Sequence, residues 1–141
     1  MKQYTLKVYP NGMGRTTYRV IEFPGTYTLD DLCSTIMQAF DFIHEHMYEF
    51  CMDNRMYSEN SYQYRPEPGY PSTDIKLDKI SLEKGQKFSL HYDYGDDWMF
   101  TINVQKIEEV NGKITPSVIK SKGDVEQYPS WVDDEEWEDE D

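Results

Sequence analysis

The sequence predicts an α+β domain in which one main helix packs on a mixed β-sheet, with the element order β-β-α-β-β-β. Two observations carry this prediction: one segment repeats apolar residues at helical spacing, and several segments alternate between apolar and polar residues as half-buried strands do. The length of 141 residues fits one domain with a single core. We therefore expect one folded domain over residues 1–128.

The first two strands are predicted to form a hairpin. Tyr4, Leu6 and Val8 alternate with polar residues, and residues 16–23 resume strand character after a glycine-containing turn at 10–14. Because the glycines of this turn join two strands and do not open a helix, they do not predict a phosphate-binding loop.

The helix is predicted to begin after Thr28, because Thr28 and Asp31 can cap its first turn together. Apolar residues then recur at spacings of three and four. They are Leu29, Leu32, Cys33, Ile36, Phe40 and Ile43. This spacing places them on one stripe, which we expect to face the sheet.

Alternation predicts three further strands, at 46–52, 88–94 and 98–104. A short edge strand is expected within 116–128, and an apolar cluster at 77–82 indicates one short helical turn. The segment 58–73 contains three prolines and shows neither periodicity, so we expect an exposed loop there. Loops of this length in compact domains are usually functional.

Acidic residues dominate the composition, with 27 Asp and Glu against 14 Lys and Arg, a formal net charge of −13. Eight of these acids lie within 133–141, so we expect 129–141 to be a disordered acidic tail. Direct binding of nucleic acid is not expected, because phosphate contacts need a basic face. The tail could instead mimic nucleic-acid charge towards a basic protein, with Trp131 and Trp137 as anchors.

Membrane and secreted classes are not expected. No apolar run is long enough to cross a bilayer, and the N-terminus lacks the apolar stretch of a signal peptide. The two cysteines, Cys33 and Cys51, cannot build a disulfide framework. The cytoplasm is therefore the expected compartment.

The predicted hairpin tip at 93–98 contains the first candidate functional residues. Asp93, Asp96 and Asp97 could hold a hard cation in a metal-dependent enzyme. The favoured interpretation is that Asp96 and Asp97 accept hydrogen bonds from turn amides, with Asp93 on the solvent face. Trp98 is expected in the core or as an anchor at its rim.

Tyrosines of the predicted loop form the second candidate surface. Tyr62, Tyr64 and Tyr70 are candidates for partner binding, because exposed aromatic side chains often anchor protein interfaces. A zinc site that combines His44 and His46 with Glu49, Cys51 or His91 is not favoured, since the ligand spacing is poor. We expect no catalytic residue, metal or cofactor.

The segment Tyr92–Trp98 reads Tyr-Asp-Tyr-Gly-Asp-Asp-Trp and resembles the hairpin of the plasmid pRiA4b ORF-3-like family. Weaker resemblances lie at 28–32, 39–50 and 77–85. The likeness implies a protein associated with plasmids, insertion elements or phage-like DNA, in a family mostly without assigned activity. Two features depart from the family: Met99 and Phe100 replace its aromatic-histidine pattern, and an acidic tail replaces the C-terminal segment of its longer members. The element order also resembles that of β-grasp domains, which implies a fold and no chemistry.

These observations predict a non-enzymatic protein-interaction module of a mobile element, with binding through 58–73 and 93–98. The first alternative is an acidic inhibitor that mimics nucleic acid and blocks a host nuclease or another nucleic-acid-binding protein. The second is a metal-dependent enzyme that uses the three aspartates of the hairpin tip. The expected partner is a protein, and a basic one if the tail takes part.

Overall fold

Seven strands form one sheet in the computed structural model, which describes residues 1–128. The predicted tail at 129–141 lies outside the described residues. The strands are β1 (Lys2–Pro10), β2 (Tyr18–Pro24), β3 (Tyr48–Cys51), β4 (Ser61–Gln63), β5 (Lys87–Tyr92), β6 (Trp98–Glu109) and β7 (Ser117–Lys122). The helix α1 spans Leu29–Ala39, and a 3₁₀ turn spans Leu77–Lys79. The α+β class and the single main helix are confirmed within the described residues.

The strand order across the sheet is β4-β3-β5-β6-β1-β2-β7. All six pairings between these strands are antiparallel, so the prediction of a mixed sheet is wrong. Within residues 1–128 the one parallel contact is an isolated bridge between Gln63 of β4 and Ser72, which lies outside the strands. Three of the six pairs, β1–β2, β3–β4 and β5–β6, join strands consecutive in the chain, and a direct reversal of the chain produces antiparallel pairing.

The start of α1 agrees with the prediction in detail. The Thr28 hydroxyl accepts a hydrogen bond from the Asp31 amide at 3.1 Å, and the Asp31 carboxylate accepts one from the Thr28 amide at 3.0 Å. The end of the helix was predicted too late. Asp41 adopts a left-handed φ of 59°, which stops the helix, and Ile43 lies beyond it with 54% of its surface exposed.

The core lies between α1 and one face of the sheet. Its helix side consists of Leu29, Leu32, Cys33, Ile36 and Met37. Its sheet side includes Leu6, Val8, Phe50, Leu90, Phe100 and Ile102. Because side chains alternate along a strand, their neighbours Lys7, Ser89 and Thr101 lie on the opposite face, which α1 does not cover.

Arg19 links the helix to the far edge of the sheet. Its side chain is buried, and its guanidinium donates to the carbonyl oxygens of Ala39 at 2.9 Å and Gly123 at 2.8 Å. It also lies 4.7 Å from the Phe40 ring centroid. These contacts hold the end of α1 against the strand pair β2 and β7.

The segment 58–73 departs from the prediction of an exposed loop. Residues 61–63 form β4 and pair with β3, while Ser61 and Thr73 are buried. The Thr73 hydroxyl donates to the Asp30 carboxylate, which ties the end of the segment to the first turn of α1. The short helical turn at 77–79 and the edge strand β7 agree with the predictions.

No helix among residues 1–128 combines the length and the apolar composition that a membrane crossing requires.

Candidate functional site

The turn between β5 and β6 is organised by Asp93. Its Oδ1 accepts hydrogen bonds from the amides of Gly95 at 3.0 Å and Asp96 at 3.3 Å, and its backbone adopts a φ of 67°. Asp93 is buried, so its predicted place on the solvent face is wrong. The carboxylate that caps the turn amides belongs to Asp93 and not to Asp96 or Asp97, because the chain reverses immediately after β5.

Asp97 has a different partner, the buried imidazole of His91. Its Oδ1 lies 2.6 Å from His91 Nε2, and on the other side of the ring His91 Nδ1 lies 2.7 Å from Glu49 Oε2. The side chains of His91 and Glu49 are fully buried, whereas that of Asp97 is 45% exposed. We call Glu49, His91 and Asp97 the histidine cluster.

The sheet register positions this cluster. Glu49 on β3 lies directly opposite His91 on β5, and both point away from α1 because Phe50 and Leu90 occupy the core. Tyr57 and Tyr94 cover the imidazole, with ring centroids 5.0 and 4.9 Å from it. The alternation over 88–94 predicted that Tyr94 lies on the same strand and the same face as Tyr92. The reversal at Asp93 instead ends β5 at Tyr92 and brings Tyr94 against His91.

Hydrogen-bond capacity limits the chemistry of the cluster. An ionised carboxylate only accepts hydrogen bonds, so an imidazole held between two ionised carboxylates must donate from both nitrogens. Such a ring has no free nitrogen with which to accept a proton from a substrate. In the observed arrangement both ring nitrogens of His91 are engaged by carboxylates, so the ring joins β3 to the β5–β6 turn.

One oxygen of the cluster stands apart from these bonds. Glu49 Oε2 also accepts from the Tyr57 amide at 2.8 Å, whereas Glu49 Oε1 is buried without a hydrogen-bond partner in the part of the chain that the structure describes.

Cys51 is two residues along the same face of β3. Burial and the nearby carboxylates of Glu49 and Asp53 raise the pKa of the Cys51 thiol to about 12.

Neither cysteine is suited to nucleophilic chemistry. The Cys33 thiol lies 3.7 Å from His44 Nε2, a distance at which a catalytic pair could be imagined. Burial raises the pKa of Cys33 well above its usual range, however, and the same effect lowers the pKa of His44. Both shifts favour the neutral thiol and neutral imidazole over the ion pair that a reactive thiolate needs.

The three aspartates of the hairpin tip do not converge on one point. Asp93 binds turn amides and Asp97 binds His91, while His46 lies 3.5 Å from Asp93 Oδ2. Within residues 1–128 no group of three or more His, Cys, Asp or Glu side chains has a geometry that could hold a metal ion.

The predicted partner-binding tyrosines differ in their surroundings. The Tyr64 ring stacks on Tyr48 at 4.8 Å, and Tyr62 is partly buried against the core. Tyr70 is 65% exposed, and together with Tyr57, which is 61% exposed, it lines a cavity of about 380 Å³. Tyr57 was not among the predicted tyrosines, because it precedes the proline-containing segment 58–73.

Trp98 lies at the edge of the core. Its ring centroid is 5.0 Å from Phe42 and 6.1 Å from Phe100. With Asp96, Asp97 and Asn11, it also lines a second cavity of about 450 Å³. The other two predicted anchors, Trp131 and Trp137, lie outside the described residues.

Comparison with known proteins gives a family and a fold. A solved structure of a protein of unknown function from Methanosarcina mazei Go1 is similar to this chain, with a TM-score of 0.70 and 24% sequence identity, over 97% of this chain and 80% of that one. No curated protein matches. The model of the plasmid pRiA4b ORF-3-like proteins matches residues 2–128, which is nearly the whole described chain. The chain therefore belongs to the plasmid pRiA4b ORF-3-like family.

Proposed function

We propose that this chain is a non-enzymatic protein-interaction module that binds a partner protein at the surface around Tyr57 and Tyr70. The observation that carries the proposal is the cavity between these two exposed tyrosines, which Ser61, Gln63 and Pro71 also line. Tyrosine contributes strongly to interfaces, because it offers a large apolar ring and a polar end at low entropic cost. The cavity can accept an apolar side chain of the partner.

The two surfaces predicted from the sequence are connected through the histidine cluster. Tyr57 packs on His91, and His91 is bonded to Asp97 at the tip of the β5–β6 turn. A partner that contacts both Tyr70 and the turn would therefore lie over one continuous, internally braced surface. Rigid support of this kind lowers the ordering cost of binding.

Strand addition at β4 is a less suitable mode of binding. The outer side of this short strand is occupied by the chain itself, since the Gln63 amide donates to the Pro71 carbonyl at 3.0 Å and the Thr73 amide donates to the Gln63 carbonyl at 3.1 Å. Few backbone groups remain for a partner strand. The proposal therefore rests on side-chain contacts.

The finer predictions from the sequence are part of the same proposal. We propose a role in the biology of mobile DNA, a cytoplasmic location and a β-grasp-like arrangement, which rest on the family resemblance, the two free cysteines and the β-β-α-β order of the first four elements. Nucleic-acid mimicry by the acidic tail is a second proposal, supported by the eight acids within 133–141. A metal-dependent enzyme is not proposed, because Asp93 and Asp97 engage separate partners.

Affinity capture from a host lysate tests the interaction proposal. We expect full-length protein to retain a partner that Tyr57→Ala with Tyr70→Ala recovers at least about tenfold less, the loss of one or two interface anchors. Ile119→Ala is the matched control, because Ile119 is an exposed apolar residue on β7 at the opposite edge of the sheet. Equal recovery by the tyrosine variant and the control would contradict the proposal.

Deletion of 133–141 tests mimicry in the same experiment. A partner that needs the acidic segment should be lost on deletion, and its retention should weaken as salt rises. Recovery of the same basic partner by the intact and shortened chains would show that the tail is not its binding site.

A further inference from the structure

The face of the sheet that α1 leaves uncovered contains a groove of about 820 Å³. Its lining includes three cations, Lys7 on β1, Arg15 after β1 and Lys87 on β5. Among residues 1–128 no aspartate or glutamate lines it, although the chain has 27 acidic residues against 14 basic ones. The groove is thus a cationic feature in an acidic protein, and we call it the open-face groove.

The cations of the groove are not neutralised by carboxylates. Among residues 1–128, none of the ion pairs involves Lys7, Arg15 or Lys87. The Lys7 ammonium lies over two aromatic rings, 4.6 Å from the Tyr18 centroid and 5.5 Å from that of Tyr9. These cation–π contacts hold the ammonium in place without cancelling its charge.

Among the neutral side chains of the groove, the asparagine amides keep free N–H donors within residues 1–128, whereas the hydroxyls of Ser89 and Thr101 use their protons inside the protein. The Ser89 hydroxyl donates to Asn54 Oδ1 and the Thr101 hydroxyl donates to Asn11 Oδ1, each at 2.6 Å. Both amide oxygens are therefore already used as acceptors. Asn54 Nδ2 donates to the Lys87 carbonyl at 3.2 Å, whereas Asn11 Nδ2 keeps its donors free within the described part of the chain.

We propose that the open-face groove binds a phosphate-bearing small molecule. The three cations of the groove form no ion pair within residues 1–128 and can interact with the negative charge of a phosphate group, and the Asn11 amide can donate to its oxygens. The volume lies in the range of small-molecule sites. The mode of binding differs from a phosphate loop, because side chains on the sheet provide the contacts and not the amides of the glycine-containing turn. The groove is a separate site from the Tyr57 and Tyr70 surface.

Titration of the full chain with pyrophosphate at low ionic strength, followed by calorimetry, tests this inference. We expect saturable binding that Lys7→Gln with Lys87→Gln weakens at least about tenfold, since each removes one charge from the groove. Lys79→Gln with Lys84→Gln is the matched control, because it makes the same change in net charge outside the groove. Circular dichroism establishes that all variants are folded.

Three outcomes would overturn the proposal. The first is no saturable binding of pyrophosphate by the wild-type chain. The second is an equal loss of affinity in the control, which would show a dependence on net charge alone. The third is equal affinity for citrate or tighter binding of a single-stranded oligonucleotide, because the groove would then select carboxylates or nucleic acid.

Discussion

At the scale of single residues, the histidine cluster shows how buried polar contacts link separate elements of this fold. Removing one partner of a buried hydrogen bond is destabilising, because the remaining polar group is left unsatisfied and out of reach of solvent. His91 has two partners, the buried Glu49 on a neighbouring strand and the partly exposed Asp97 after the turn. It therefore couples the register of β3 and β5 to the shape of the β5–β6 turn.

We expect His91→Gln to lower the free energy of unfolding by about 1–3 kcal/mol, the usual cost of leaving a buried polar group without its hydrogen-bond partner. Asp97→Asn should cost about 1 kcal/mol, because Asp97 is partly exposed and water can replace its lost contact. Urea unfolding followed by circular dichroism measures both values. Asp96→Asn is the control, since Asp96 is exposed and its side chain forms no hydrogen bond within the described residues.

A double-mutant cycle measures the interaction energy between His91 and Glu49 separately from the effect of each substitution on the rest of the fold. Glu49→Gln removes the buried charge but keeps an acceptor for the Tyr57 amide. If the two residues form one unit, the double variant with His91→Gln should be less destabilised than the sum of the single variants by about 1–3 kcal/mol. Simple additivity would show that His91 and Glu49 act independently.

The cysteines give a second residue-scale prediction. Cys51 has a pKa of about 12 and that of Cys33 is also raised, so both thiols are protonated at pH 8. We expect neither to react rapidly with a disulfide reagent in the folded protein, because the thiolate is the reactive form. Both should react after unfolding in urea. Rapid labelling of one thiol in the folded state would contradict the assigned burial.

At the scale of elements, α1 shows which features local sequence determines. The cap at Thr28 and Asp31 was predicted correctly, because both halves of a capping box lie within one turn. The end of the helix was not, since the periodicity of Phe40 and Ile43 continues while the backbone reverses at Asp41. The apolar pattern alone gave no sign of that reversal.

We expect Thr28→Ala to lower the free energy of unfolding by about 1 kcal/mol, because it removes the acceptor of the Asp31 amide. Thr35→Ala is the matched control within the same helix, where the Thr35 hydroxyl donates to the Asp31 carbonyl. Alanine is the better helix former there, so its effect should stay within about 0.5 kcal/mol. Thermal unfolding of both variants measures the difference. A control that lost as much stability as Thr28→Ala would contradict a specific capping role.

The short strand β4 shows what the sequence could not predict. Its three residues lie between polar and proline-containing stretches, and its existence depends on pairing with Glu49, Phe50 and Cys51. Such pairing is non-local, and so is the register that joins Glu49 to His91. The sequence therefore identified the chemistry-bearing residue types but could not indicate which of them meet.

At the scale of the whole molecule, charge is distributed unequally along the chain. Of the 27 acidic residues, 8 belong to 133–141, which leaves 19 against 14 bases in the rest of the chain. Within that body, several acids pair with basic groups or accept hydrogen bonds from turn amides, while Lys7, Arg15 and Lys87 line the open-face groove. The net charge of the chain is therefore a poor guide to any one of its surfaces.

Burial of tyrosine and cysteine side chains makes the stability of the protein sensitive to alkaline pH. Burial raises the pKa of Tyr4 and Tyr48 above 10, where aspartate neighbours add to the effect, and it raises those of both cysteines above 9. The folded state therefore keeps protons that the unfolded chain releases. Stability from these groups is complete below about pH 9 and is lost as pH rises further, because unfolding then releases protons.

We expect the urea midpoint to fall progressively between about pH 9 and pH 11 and to change little between about pH 7 and pH 8. The double variant Cys33→Ala with Cys51→Ala should have a lower urea midpoint at neutral pH than the wild-type chain, since it leaves small cavities in the core. Above pH 9, its midpoint should fall less steeply than that of the wild-type chain. The remaining loss above about pH 10 belongs to the buried tyrosines, whose share of the tyrosinate absorbance should appear only as the protein unfolds. A midpoint that stays constant to pH 11, or the full tyrosinate absorbance of the unfolded chain while the protein is still folded, would contradict this account of the core.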